Sequence, residues 1–159
     1  MSTHDLLHES MAIMQAKNHD YSGGDGDPLS NFRMSTRLGI SVGQGIALRM
    51  FDKHQRIRTF IEKGQLKVKG ESVRDAVLDC INYTILLNAY YWDVIAPEAL
   101  YHSRAELEAE SATVRRSIQY PTDVHVLLGV AESELEHTRA DCSYLLNIYL
   151  HIGEVLFDE

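Results

Sequence analysis

Two sets of charged residues have types and spacing that could do chemistry. Glu71, Asp75 and Asp79 fall at i, i+4 and i+8, which on an α-helix drifts only about 80° around the axis, so the three carboxylates share a face. Stacked like charges repel unless water, a cation side chain or a divalent ion neutralises them. About twenty residues earlier, Arg49, Lys53 and Arg56 occupy neighbouring positions on one helical face, with Asp52 beside them. If the two segments pack antiparallel, carboxylate oxygens and cationic nitrogens border one cleft. Such a pairing suits a metal-chelated polyphosphate: Glu71, Asp75 and Asp79, with Asp52, are the expected ligands of Mg²⁺ or Mn²⁺, and Arg49, Lys53 and Arg56 face the phosphate oxygens. The same charges also have ordinary roles open to them. Asp52 with Arg56, and Arg74 with Asp75, are spaced as surface ion pairs, and Glu71 suits the positive end of a helix. Asp79 is different, because its neighbours Leu78, Cys80 and Ile81 predict burial, and a buried carboxylate needs a partner.

A second candidate lies upstream in KNHDYSGGDGDPLSNFR, residues 17–33. Its glycines let backbone N–H groups approach a ligand closely. Lys17, Asn31 and Arg33 can donate hydrogen bonds, Tyr21 can stack on a base, and Asp20 can accept from a base or ribose or reach a metal. Asp25 and Asp27 read as parts of a solvated turn. The Gly-Lys-Ser/Thr ending of a phosphate-binding P-loop is missing. Asn82 and Tyr83, one turn after Asp79, are candidates for the same pocket. The loop is therefore expected to wall the base and sugar of a nucleotide whose phosphates rest on the two charged helices.

The elements that must position these residues all read as helices. Leu7, Met11 and Met14 give a first helix from His4 to about Asn18, with Ser2 or Thr3 as cap. A short helix is expected around residues 31–38. Ser41 is a candidate cap for the next helix, whose apolar stripe is Ile46, Met50, Ile57 and Ile61 and whose stop is Gly64. QLKVKG reads as a connector. A third helix is expected from Glu71 to Ile95, closed by Pro97; AELEAESATVRRS reads as helical and largely exposed; a last long helix spans Asp123 to Gly153. No stretch alternates with period two, so the expected fold is an all-α bundle of about four to six helices, with a nucleotide-binding core over 1–97 and an acidic extension over 98–159.

Bulk properties exclude several classes. The 159 residues suffice for a core without disulfides. No apolar run reaches the ~20 residues of a membrane span, and the start lacks the pattern of a secretory leader, so a cytoplasmic setting is expected. Cys80 and Cys142 sit in apolar helical runs and read as buried free thiols. Residues 1–97 hold 11 Lys/Arg and 11 Asp/Glu, residues 98–159 hold 4 and 12. An acidic back third argues against duplex nucleic acid as partner. Glu134 and His137 have the i, i+3 spacing of di-iron bundles, but no second Glu-x-x-His accompanies them.

The ordered blocks KNHDY, NFR, RMFDKHQRI and GESVRDAVLDCINY, spanning about residues 10–92, resemble a small phage-borne nucleotide-modification-associated domain. That domain is similar to the all-α nucleoside triphosphate pyrophosphatases of the MazG and dimeric dUTPase type. The resemblance implies a helical core, a homo-oligomer, and Mg²⁺-dependent cleavage of a nucleoside triphosphate to monophosphate and pyrophosphate, in the host cytoplasm. It matches Asp79 to the aspartate that closes the family's second acidic motif. The chain departs from the family in lacking Glu-Glu-x-x-Glu and in carrying Ala76 three residues before Asp79. A nucleotide-sequestering protein without turnover is the alternative expectation.

Overall fold

The computed structural model describes residues 2–22, 26–64 and 72–157. Seven α-helices follow one another: α1 Thr3–Ser22, α2 Ser30–Arg33, α3 Val42–Lys63, α4 Val73–Tyr91, α5 Pro97–Arg115, α6 Val124–Leu135 and α7 Cys142–Phe157, with a 3₁₀ turn at Met34–Leu38. Among the described residues there is no strand, and no helix is long and apolar enough to cross a membrane. The fold is all-α, as its periodicity predicts.

Local signals account for most boundaries. Ser2 and Asp5 cap α1 reciprocally, the Ser2 Oγ accepting from the Asp5 N–H and the Asp5 carboxylate from the Ser2 N–H. Ser41 with Gln44 opens α3 and Ser72 with Asp75 opens α4 in the same way, each pair satisfying backbone donors that a helix start leaves open. Gly64 closes α3 at φ 75°, a left-handed conformation that glycine adopts without a Cβ clash. α1 runs on to Ser22 rather than ending near Asn18. Pro97 does not close α4 but occupies the first turn of α5, where its missing N–H costs nothing. The connector QLKVKG and Glu71 lie outside the described residues.

The expected final helix is two. The backbone N–H of Ala140 donates to the Tyr91 hydroxyl at 2.8 Å, the Arg139 guanidinium lies over the Tyr91 and Trp92 rings, and Asp141 accepts from the Tyr144 N–H at 3.1 Å to start α7. Hydrogen bonds that a continuous helix would make internally are thus made to α4 and to a new cap. The short helix expected around residues 31–38 is present as α2 and its 3₁₀ turn, so this break is what brings the all-α bundle to seven helices.

α4 is the central rod. Val77, Leu78, Cys80, Ile81 and Ile85 are fully buried, because α1, α3, α5 and α7 all pack on it. A Cβ on Gly43 would meet Tyr90, whereas Lys53 meets Asp79; moving up α3 is moving down α4, so the two are antiparallel. Ile46, Met50 and Ile57 of the predicted stripe are buried, and so are Leu145, Leu146, Ile148 and Ile152 of α7, which makes one core from both halves of the chain. Cys80 and Cys142 are buried and free. AELEAESATVRRS is largely exposed, as expected, while Leu100, Arg104, Leu107 and Ser111 make the inward face of α5.

One polar cluster crosses this core. His54 is fully buried, with Nε2 2.7 Å from the Tyr149 hydroxyl and Nδ1 3.3 Å from Glu132, and Arg58 pairs with the same carboxylate. Burial pushes the imidazole down to about 4, so the neutral ring accepts from Tyr149 and donates to Glu132. Unfolded, the ring binds a proton near pH 6.5. Between pH 6.5 and 4 the unfolded chain therefore holds the extra proton, and stability falls as pH falls. Urea unfolding at pH 7.5 and pH 5 should differ by about 2 kcal/mol from this group, and His54→Gln should flatten that dependence while lowering stability at both pH values. A second expectation concerns Gly153, where a Cβ would lie 2.6 Å from Leu6 Cδ1. Leu6 is fully buried in the core and Val77 Cγ1 lies 3.4 Å from the same point, so Gly153→Ala should cost about 1–3 kcal/mol in the same assay.

Candidate functional site

The site is built around Asp79, whose side chain is only 13% exposed in mid-α4. Two ammonium groups from different helices hold it: Lys17 Nζ of α1 lies 2.8 Å from Oδ1, and Lys53 Nζ of α3 lies 3.1 Å from Oδ2. Burial by itself would lower Lys17, but the hydrogen bond and charge of Asp79 outweigh it and hold the ammonium above its ordinary range. The carboxylate that the sequence marked as needing a partner thus has two.

Two cavities open on either side of this triad, and Lys17 and Asp79 line both. The first, a cleft of about 240 Å³, is walled by Tyr21, Phe32, Tyr83, Met14, Leu86 and Leu100, with Asn18, Asn31, Asn82 and Arg49 interspersed. Phe32 meets Tyr83 edge to face, ring centroids 5.9 Å apart. Burial raises the Tyr83 hydroxyl and the nearby Asp79 carboxylate adds to it, so that phenol stays protonated as a donor. The second cavity, a groove of about 330 Å³, is lined by Lys53, Arg56, Asp75, Ser72, Ile13 and Ala76 together with the shared pair.

The expected binding residues sort by these walls. Lys17, Tyr21, Asn31, Arg49, Asn82 and Tyr83 come together at the cleft; Lys53, Arg56, Asp75 and Asp79 at the groove. Arg33 lines neither cavity; it pairs with Asp27, which also accepts from the Leu29 N–H at 3.0 Å. Asp27 is therefore not a merely solvated turn residue, since it braces α2 and fixes Phe32 against the cleft. Asp20 is 76% exposed beside His19 and Asp52 is exposed; neither lines a cavity. Gly23, Gly24, Asp25 and Glu71 lie outside the described residues.

Sequence reasoning missed the residue behind Asn82. Arg104 of α5 is fully buried and donates through Nη2 to the Leu7 carbonyl and the Ser10 hydroxyl, both at 2.7 Å, and through Nη1 to Asn82 Oδ1 at 3.3 Å. It also forms an ion pair with Glu108 at 2.7 Å. Burial lowers this guanidinium, with Glu108 working against the shift. Asn82 is 5% exposed, and its Nδ2 has no hydrogen-bond partner among the described residues. Nothing in AELEAES marks Arg104; only its spacing from Leu100 and Leu107 on the buried face could have indicated it.

As a cation site the described donors are incomplete. No three His, Cys, Asp or Glu side chains gather among the described residues, both Asp79 oxygens face ammonium groups, and Asp75 accepts from the Ser72 N–H at 3.0 Å. The donor set fits Mg²⁺ only in company with phosphate oxygens, which supply the ligands two carboxylates lack. The chain matches no protein-family model, no curated protein and no solved structure.

Asp79→Asn should lower the Lys17 pKa in an NMR titration, because burial then acts without the opposing charge. The same variant should lose roughly 1–3 kcal/mol of unfolding free energy, the worth of hydrogen bonds to a charged partner.

Proposed function

We propose that this chain binds a nucleotide, with base and sugar in the aromatic cleft and phosphates in the adjoining groove. The observation that carries the reading is the wall common to both cavities: Lys17 and Asp79 line each. On one side are rings and amides suited to a flat heterocycle with polar edges. On the other, Lys17, Lys53 and Arg56, with Arg49 nearby, outnumber Asp75 and Asp79, so the local balance is positive in a chain of net charge −8. Guanidinium and ammonium groups in that balance favour a polyanion.

A bound polyphosphate competes with Asp79 for Lys17 and Lys53. The unliganded site carries its own counter-ion, and the lysines are held in place before the ligand arrives. Arg49, exposed on α3, borders the cleft and can close on the phosphate nearest the sugar.

A second reading, Mg²⁺- or Mn²⁺-dependent hydrolysis to monophosphate and pyrophosphate, is favoured by Asp75 and Asp79 lining the same groove one helical turn apart. Those two carboxylates would hold the ion together with phosphate oxygens, and the ion would supply charge stabilisation at the bridging oxygens. Lys53 and Arg56 would bind and orient the outer phosphates. Sequestration and turnover share one pocket and differ in whether products appear.

Titration calorimetry with nucleoside triphosphates, run beside chromatography of the same mixtures with Mg²⁺, tests both. Lys17→Met and Lys53→Met should each weaken triphosphate binding about tenfold or more, the value of one charge-assisted contact. Asp79→Asn should bind triphosphate as tightly as the parent or more tightly, because the lysines are released, and should abolish any product formation. Absence of binding at millimolar triphosphate, or lysine variants that bind like the parent, would remove the nucleotide reading.

A further inference from the structure

The Asn82 amide has two faces, and the protein has committed one of them. A guanidinium donates five N–H groups and accepts nothing. Arg104 Nη1 at 3.3 Å can therefore be met only by the amide oxygen of Asn82, and the opposite assignment would set donor against donor. Arg104 is held in this orientation by Nη2, which donates to Leu7 and Ser10, and by the ion pair with Glu108. Asn82 lines the cleft, and its Nδ2 is left buried and without a partner among the described residues. An N–H group buried without an acceptor costs free energy that a ligand lone pair can restore.

We infer that Arg104 is a positioning residue that makes Asn82 a donor only, so that the cleft takes a nucleobase presenting a carbonyl oxygen there and disfavours one presenting an amine. An amide free to rotate reads adenine through both atoms, donating to a ring nitrogen and accepting from the N6 amine. With its oxygen held by Arg104, Asn82 cannot accept from that amine. Uracil, thymine and guanine offer a ring carbonyl, and cytosine offers O2 alone. The selection is made by α5, so the helix that contributes Arg104 sets specificity without lining the polar part of the cleft. This inference rests on the nucleotide reading above.

The test is a binding panel of dUTP, dTTP, dGTP and dATP against the full chain in EDTA, which prevents turnover. The parent should bind at least one keto nucleotide about tenfold or more tighter than dATP, as expected for a lost base-edge contact. Asn82→Asp keeps an oxygen toward Arg104 and removes the donor, and Arg104→Gln frees the amide to rotate; in each, the ratio should shrink below about threefold. A merely structural role for Arg104 would change stability and leave that ratio alone. Circular dichroism checks folding, and if either variant fails to fold the parent's own ratio decides. Parent binding of dATP as tight as that of every keto nucleotide overturns the inference and leaves nucleotide binding standing. No binding by any of the four overturns both.

Discussion

A carboxylate buried in the middle of a helix must be neutralised, and the placement of α1 and α3 around α4 answers that demand. Asp79 lies where the three helices converge. An unpaired charge at that depth would be costly, so the two lysines tie α1 and α3 to α4 alongside the surrounding leucines and isoleucines. The pairing also separates two cavities of different chemistry, one ringed and amide-rich, the other cationic. The same three charges thus fix the architecture and divide the space that the proposed ligand would occupy.

Much of this was readable before any coordinates. Capping residues and stop signals act within four residues of themselves, so Ser41 and Gly64 mark the ends of α3 from the sequence alone. Asp79 could be singled out because Leu78, Cys80 and Ile81 are fully buried around it, and Lys53 could be set opposite because a short connector implies antiparallel neighbours. Lys17 was legible as a donor but not as a partner of Asp79, since 62 residues separate them.

What stayed hidden depended on contacts made across the whole fold. Arg104 sits in a run of Glu and Ser that reads as solvated, and its burial depends on its long side chain reaching α1, where a carbonyl, a hydroxyl and a thioether meet it. His54 stands within a row of cations, yet it faces Glu132 and Tyr149 from two helices 78 and 95 residues away. The break before α7 follows the same rule: a tyrosine hydroxyl on α4 draws off a backbone N–H that local propensity assigns to a continuous helix. Asp20 and Asp52 had suitable chemistry but the wrong side of their helices.

The junction of α4 with the connection between α6 and α7 has an optical consequence. Trp92 is the chain's single tryptophan, 69% exposed, with the Arg139 guanidinium 5.7 Å from its ring, and it lines neither the cleft nor the groove. Its emission is governed by water on one side and a fixed positive charge on the other. Tryptophan emission of this protein therefore reports the integrity of one helix junction rather than events in the cavities.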